Sequence, residues 1–201
     1  TGLSIAASKN VRVSRCGTLG GRHGISVNGH IGDPKRNGSP YGCWQTSITD
    51  CRIAQTWDTF VAVGLCASYV TVSGCICEGS AAHGFDIFNS EHVVVAGNTL
   101  NNWLDPRVLS HYAEQAVGIF VHCDWGNSVE IPTRDIVVSG NVLTRDEYPS
   151  EVRPVGISVI GTVDGITLTG NVVSGGLTGL ALEDIQGKEK RFAPRNVSAT
   201  G

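Results

Sequence analysis

The feature that most constrains the fold of this chain is a short internal repeat. Segments with the pattern apolar-x-apolar-x-Gly, closed by Asn or Cys, occupy residues 70–75, 93–98, 136–141 and 166–171, with weaker copies at 11–16 and 48–51. Their apolar alternation predicts a short β-strand, and the Gly and Asn that follow tolerate positive φ and so predict a turn. A chain that repeats one strand-turn unit is typical of a solenoid.

A second motif, Gly-apolar-x-apolar, alternates with the first. It begins at Gly2, Gly24, Gly84, Gly118, Gly156 and Gly179, and an imperfect copy begins at Thr59. The minimal unit is roughly 22 to 25 residues, and the rest of the spacing is insertion. Three short strands per unit predict an all-β, right-handed parallel β-helix of about seven coils, in which equivalent residues stack into ladders. A left-handed β-helix would need six-residue periodicity, which is absent.

The repeats fill residues 1–201, so we expect one β-helix domain. Because both ends fall inside repeat motifs, we also expect the chain to be a piece of a larger protein. The 26 Gly residues and the charged fraction of 16% suit a turn-dense fold. A net charge of -3 argues against a nucleic-acid partner. No apolar run reaches the length of a membrane span, so we expect no membrane insertion.

The seven cysteines are placed in a way that bears on their role. Cys16, Cys51 and Cys75 occupy the repeat position that Asn takes elsewhere, so we expect them to stack on neighbouring coils. They are interpreted as buried free thiols that pack as small apolar groups. A Cys43–Cys51 disulfide is the one pairing left open. Mostly free thiols favour folding in a reducing compartment.

Four insertions interrupt the minimal coil, at residues 30–46, 101–117, 124–134 and 145–155. They contain most of the Trp and Tyr residues, including Trp103 and Trp125. Long loops on a rigid scaffold are common places for binding and catalytic sites. We therefore expect the function of this chain to depend on side chains in or beside these insertions.

The strongest candidate site lies on the outward positions of two Gly-apolar-x-apolar strands. Asp86 and Phe88 project from one strand, and Phe120 and His122 project from the next. Exposed rings can cover sugar faces, and an acid beside an imidazole can transfer protons. We expect Asp86 and His122 to be about 8 Å apart, with room for a substrate atom or water between them. Alternatively, insertions or another subunit cover the rings, and Asp86 only bonds a turn.

Neighbouring residues extend this candidate site. Glu114 lies in the insertion before Gly118, and Asp124 and Trp125 open the insertion after His122. Together with Asp86, these carboxylates could supply the acid and base of glycoside hydrolysis. No His or Cys spacing predicts a metal centre, so we expect no cofactor, although calcium held by Asp86 and Asp124 is an open alternative.

The repeat units from Gly2 to Gly201 resemble the pectate-lyase-like β-helix superfamily. Its members include bacteriophage tailspike depolymerases, polysaccharide lyases, polygalacturonases and uronan epimerases. The Asp-Asp and Gly-His-Gly motifs of polygalacturonases are absent. The segment Gly84-Phe85-Asp86 resembles the Gly-Phe-Asp of uronan epimerases, but Ile87 and Phe88 replace the Pro-His that follows in that family. Only Asp86 therefore carries over.

The preferred interpretation is a tailspike-like depolymerase that hydrolyses a bacterial surface polysaccharide. The resemblance implies a homotrimer that is made in the bacterial cytoplasm and acts outside the cell as part of the virion tail; secretion is the alternative. Asp86 would pair with Glu114 or Asp124, His122 would orient or shuttle a proton, and the sugar platforms would be Phe88, Phe120, Trp103 and Trp125. The two alternatives are a uronate lyase or C5-epimerase that uses Asp86 and His122, and a non-catalytic glycan-binding or structural β-helix.

Overall fold

The computed structural model describes residues 1–29, 42–103, 105, 116–123, 133–146, 154–175, 178–183, 185–186 and 191–201. Within them every regular element is a β-strand. Three parallel sheets, A, B and C, surround one core, and successive strands pass from A to B to C. The predicted all-β parallel β-helix of about seven coils is confirmed.

The strands are numbered β1 to β22 in chain order. Sheet A contains β1 (Leu3–Ala6), β4 (His23–Asn28), β7 (Thr59–Gly64), β10 (His83–Phe88), β13 (Val117–His122), β16 (Val155–Ile160) and β19 (Thr178–Glu183). Sheet B contains β2 (Lys9–Ser14), β5 (Trp44–Thr49), β8 (Ser68–Ser73), β11 (Glu91–Ala96), β14 (Thr133–Ser139), β17 (Val163–Thr169) and β22 (Arg195–Thr200). Sheet C contains β3 (Gly17–Leu19), β6 (Arg52–Thr56), β9 (Ile76–Ser80), β12 (Thr99–Trp103), β15 (Val142–Thr144) and β18 (Val172–Ser174). The short strands β20 (Ile185–Gln186) and β21 (Arg191–Phe192) pair antiparallel beside them.

Alternation within each strand builds the core. In sheet B, Val93 pairs with Ile136 and Val95 pairs with Val138, and all four side chains are buried. The residues between them face outward, as at Val94. Burying one such side chain contributes about 1.5 to 3 kcal/mol. Stacking equivalent aliphatic residues from coil to coil therefore supplies the main stabilisation of the solenoid.

A ladder of Asn and Cys side chains closes the corner between sheets B and C. Asn98 Oδ1 accepts the Cys75 amide at 2.9 Å, and Asn141 Oδ1 accepts the Asn98 amide at 3.0 Å. Asn171 Oδ1 accepts the Asn141 amide at 3.1 Å. The left-handed turn that precedes each Asn falls on a glycine, such as Gly140 with φ of 60°. The predicted stacking of these turn residues is confirmed.

Cysteines occupy the earlier rungs of the same ladder. Cys51 and Cys75 are buried, and the Cys75 thiol lies 4.0 Å from the Ile48 carbonyl, which corresponds to the carbonyl that an Asn amide reaches in later coils. Burial raises the pKa of Cys75 to about 11, so its thiol stays protonated. All seven cysteines are free, including Cys43, and the open Cys43–Cys51 pairing does not form; Cys16 is exposed.

One strand of sheet A departs from the predicted register. Val61 pairs with Ile25 and with Phe85, so Phe60, not Thr59, occupies the position of the motif glycine. Val61 and Val63 therefore face inward, and the outward residues of β7 are Ala62 and Gly64. The predicted start of this motif copy at Thr59 is therefore wrong by one residue, and such a shift turns every side chain of a strand to the other face.

Two of the insertions are shorter than the sequence predicted, because strands extend into their predicted ranges. Trp44 to Thr46 already belong to β5, and Asn101 to Trp103 complete β12. Across the described part of the chain, no helix is long and apolar enough to cross a bilayer.

The last coil leaves part of the inner surface open. Leu180 and Leu182 of β19 are 40% and 52% exposed, whereas their partners Ile157 and Val159 in β16 are buried. A cavity of about 320 Å³ opens here between sheets A, B and C. Its lining includes Ile157, Leu168, Val173 and Leu180.

Candidate functional site

Adjacent strands of sheet A bring the predicted patch together. In the register of β10 and β13, Asp86 lies beside Phe120 and Phe88 lies beside His122. The inward residues of the same strands, such as Ile87 and Val121, are buried in the core. The strands therefore hold all four patch residues on the outer side of sheet A, as the alternation predicted.

Asp86 and His122 are in direct contact. Asp86 Oδ1 accepts a hydrogen bond from His122 Nε2 at 2.8 Å. The predicted separation of about 8 Å, with space for a substrate atom between the two side chains, is wrong. The two residues are diagonal neighbours in the register, and their side chains nevertheless meet.

Two aromatic rings stack with the imidazole. The His122 ring stacks on Phe120 with a centroid distance of 4.1 Å and on Phe88 with a centroid distance of 5.6 Å. Phe120 is only 5% exposed, because it also packs in a small apolar cluster with Val117 and Ile160. The expected exposed platform at Phe120 is therefore wrong, and the ring instead forms a wall of the imidazole site. Phe88 remains partly exposed.

The second nitrogen of His122 also has an acceptor. His122 Nδ1 lies 3.2 Å from the Cys123 carbonyl oxygen. A carbonyl and a carboxylate both accept, so this arrangement suits the doubly protonated ring, which has an N–H on each nitrogen. The Thr133 hydroxyl donates to the His122 carbonyl at 2.6 Å and accepts the Asn89 amide at 2.8 Å. These bonds fix the backbone at this end of the strands.

The electrostatic surroundings keep Asp86 ionised. Burial alone would raise its pKa, but the charge and hydrogen bond of His122, with smaller contributions from His83 and His23, hold the pKa below its ordinary value. Asp86 Oδ2 makes no hydrogen bond to another described residue. The Asp86 side chain is 18% exposed. One carboxylate oxygen is thus fixed by the imidazole, and the other can accept a proton from water or a sugar hydroxyl.

A row of polar residues continues from this pair along sheet A. His23 Nδ1 lies 3.0 Å from Thr59 Oγ1, and Arg22 donates to Asp58 at 2.9 Å. His83 Nδ1 accepts the Val117 amide at 3.4 Å. Burial lowers the pKa of both His23 and His83, more than the nearby carboxylates raise it.

Sequence analysis did not identify His23, His83 or Asp58 as site residues. The signal that links them is the register, since His23, Thr59 and His83 occupy equivalent positions on three consecutive strands. That relation became visible only with the corrected alignment of β7.

The remaining predicted site residues are not part of this cluster. Trp103 is completely buried in the hydrophobic core, so the prediction that it is a sugar platform is wrong. It ends a strand of sheet C, and its ring faces the interior rather than a loop. Glu114, Asp124 and Trp125 lie outside the described residues. Among the residues that the structure describes, no group of three or more His, Cys, Asp or Glu side chains could hold a metal ion.

Neither the protein-family models nor the curated proteins that were compared with this sequence match it. An assignment beyond the fold therefore depends on the chemistry of the site.

Proposed function

We propose that this β-helix is a polysaccharide depolymerase of the tailspike type, which binds a bacterial surface polysaccharide along the outer face of sheet A and hydrolyses it. The observation that carries the proposal is the Asp86–His122 hydrogen bond of 2.8 Å on the outward face of two adjacent strands. A rigid, partly exposed acid-base pair beside aromatic rings has the elements that glycan chemistry requires.

Asp86 acts as the base in this proposal. Its lowered pKa makes it a carboxylate at neutral pH, which is the wrong state for a general acid and the right one for activating water or attacking a sugar carbon. His122 keeps the carboxylate ionised and oriented, and Phe120 holds the imidazole in position. His122 is thus a positioning residue.

Hydrolysis also needs a proton donor for the leaving oxygen. Glu114 and Asp124 remain the proposed donors on sequence grounds. In the tailspike proposal the protein is a homotrimer of the virion tail, made in the bacterial cytoplasm, and its partner is a capsular or O-antigen polysaccharide. Sedimentation of the intact protein tests the trimer directly.

Reducing-end release over a panel of bacterial capsular and O-antigen polysaccharides tests the activity. Cleavage of one or two members without new ultraviolet absorbance is the expected result. New ultraviolet absorbance that accompanies cleavage would instead indicate a uronate lyase, since elimination creates a sugar with a carbon-carbon double bond. If no member is cleaved but some are bound, the catalytic proposal fails and a glycan-binding role replaces it.

Asp86→Asn supplies the matched variant for the cleaved substrate. We expect turnover to fall at least about a hundredfold, since removal of a catalytic base has effects of this size. Binding of the polysaccharide should persist, because the amide keeps the size of the side chain. Asp50→Asn, at an exposed corner away from the patch, serves as the control and should retain full activity. Equal activity of the Asp86 and Asp50 variants would refute the assigned role.

A further inference from the structure

A second group of aromatic side chains lies on sheet B, outside the Asp86–His122 site. Trp44, Tyr69 and His92 project from three consecutive strands and form what is here named the aromatic ladder. Ring centroids are 4.6 Å apart for Trp44 and Tyr69 and 4.5 Å apart for Tyr69 and His92. Trp44 and Tyr69 are 41% and 46% exposed. The 56° tilt between these two rings keeps them from covering each other's faces fully.

The backbone beneath the ladder is left-handed. Tyr69 and His92 have φ of 56° and 55°, and they belong to a row in which every coil has a left-handed residue. The other members of the row are Asn10, Gln45, Asp135, Gly165 and Asn196. This conformation is a regular requirement of the start of sheet B, since it recurs in all seven coils of that sheet.

Most rungs of this row have the residue types that such a conformation prefers. Gly tolerates it freely, and Asn and Asp adopt it more readily than other residues. A bulky tyrosine is disfavoured there, and a left-handed non-glycine residue costs on the order of 1 to 3 kcal/mol. Tyr69 therefore occupies this position against the local preference of the backbone. Such outliers are typical of positions with a function.

The two carboxylates beside the ladder both have side-chain partners. Glu91 Oε2 accepts the Arg134 Nε–H at 2.7 Å, and Glu91 Oε1 accepts the Ser68 hydroxyl at 3.2 Å. Asp135 lies 3.5 Å from the His92 ring nitrogen. A ligand here meets flat rings bordered by carboxylates and hydrogen-bonding groups, and a neutral imidazole leaves the negative charge of Asp135 in place to repel an anion. That combination suits the apolar faces and hydroxyl edges of uncharged sugars better than a polyanion.

We propose that the aromatic ladder is a second polysaccharide-binding surface, which takes a neutral segment of a glycan chain. The choice of a glycan as ligand rests on the proposed function, whereas the surface itself is separate from the Asp86–His122 pair. His92 follows Phe88 by four residues, so the two surfaces are within about 14 Å of each other across one corner. A single polysaccharide chain of several sugars can span that distance and be held at both places.

The test uses Tyr69→Asn, with Gln45→Asn as its matched control. Both variants put Asn at a left-handed position of the same row, but only the first removes a ring. Each is made in an Asp86→Asn background so that binding is measured without turnover. The probes are neutral O-antigen polysaccharides and, for comparison, capsular polysaccharides that contain uronic acids.

We expect Tyr69→Asn to weaken binding of a neutral polysaccharide at least about tenfold, a loss of roughly one stacked ring. Its melting temperature should equal or exceed that of the parent, because Asn suits the backbone better than Tyr. Gln45→Asn should leave affinity unchanged. Equal affinity in both variants, or binding restricted to the acidic polysaccharides or absent throughout, would overturn the proposal.

A lower melting temperature for Tyr69→Asn would also count against it, because the ring would then be present for packing. Reducing-end release by the protein with Asp86 intact is scored separately. If the protein with Asp86 intact cleaves no polysaccharide but Tyr69→Asn weakens binding, the enzymatic proposal fails and the proposed binding surface stands. If the protein cleaves a polysaccharide but Tyr69→Asn binds it as tightly as the parent does, the enzymatic proposal stands and the aromatic ladder is not a binding surface.

Discussion

His122 is held through both its ring and its nitrogens. The ring stacks with Phe88 and Phe120, and the nitrogens contact Asp86 and the Cys123 carbonyl. A ring held in this way cannot turn to follow a substrate. Asp86 is therefore the member of the pair that can react with a substrate, because its second oxygen makes no hydrogen bond to the described residues. His122 keeps the Asp86 carboxylate ionised.

The buried histidines give the fold a pH dependence with a definite sign. Burial lowers the pKa of His83 below its ordinary value of 6.5. As the pH falls below 6.5, the unfolded chain therefore binds a proton at His83 more readily than the folded state does. Stability is fully present above that value and falls as the pH decreases toward the lowered pKa. His23 acts in the same direction. Asp86 acts in a separate window, below its ordinary value of 3.8.

We therefore expect the melting temperature of the protein to drop between pH 7 and pH 5. His83→Gln should flatten this decline, because glutamine does not titrate. Thermal denaturation followed by circular dichroism at half-unit pH steps measures both curves. Parallel curves for the two proteins would show that His83 does not contribute to the pH dependence.

At this scale the sequence predicted which side chains share a surface but not how they meet. Alternation placed Asp86, Phe88, Phe120 and His122 on one face, and that is confirmed. The direct bond between Asp86 and His122 depends on side-chain rotamers, which strand spacing does not determine. Trp103 was misplaced for a different reason: the insertion was predicted to begin at residue 101, whereas the strand continues to Trp103 and buries the indole.

Among the elements, the corner ladder shows how the repeat maintains its register. Asn141 Oδ1 accepts both the amide and the Nδ2 of Asn98, at 3.0 and 2.9 Å. Asn141 Nδ2 donates to the Val95 carbonyl at 3.0 Å. A coil displaced by one residue would leave these groups buried and unpaired, so the ladder opposes slippage.

Asn141→Ala should destabilise the protein by about 2 to 4 kcal/mol, since it leaves several buried polar groups without partners at roughly 1 to 3 kcal/mol each. Urea denaturation with a linear extrapolation measures the change. Asn141→Cys is the matched variant, because the chain itself has Cys51 and Cys75 on this ladder, and it should lose less. Equal stability of the alanine variant and the parent would refute the role of the ladder.

The sequence predicted the ladder but misaligned one coil. Gly and Asn recur visibly in the turn, whereas β7 replaces the motif glycine with Phe60, so no local signal marked its true register. The register of β7 became clear only from its pairing with β4 and β10. The third sheet was inferred only as a short strand after each turn, and its pairing with the other coils required the structure.

For the whole molecule, stability is a sum of contacts between neighbouring coils. Leu100 is completely buried between two coils, whereas Leu182 in the last strand of sheet A is 52% exposed. The energetic value of the same residue type should therefore differ with its place along the solenoid.

We expect Leu100→Ala to cost about 2 to 5 kcal/mol, the range for a buried leucine, and Leu182→Ala to cost less than about 1 kcal/mol. Hydrogen exchange should show the same gradient, with amides of β19 and β22 exchanging faster than those of β10 and β11. Equal costs for the two substitutions, or uniform protection of all coils, would contradict this account.

The glycines at the second position of the sheet A strands have a consequence for any attempt to rearrange this solenoid. A Cβ at Gly118 would lie 2.5 Å from Leu143 of the following sheet C strand, and a Cβ at Gly84 would lie 2.6 Å from Leu100. Phe60 occupies the same position in its own coil, and the sheet C residue equivalent to Leu100 is there the smaller Cys77. This coil thus combines a large sheet A residue with a small sheet C residue, whereas the next coil combines Gly84 with the larger Leu100. A coil that is duplicated, deleted or grafted should therefore be cut before a sheet A strand, so that Phe60 and Cys77 are transferred together.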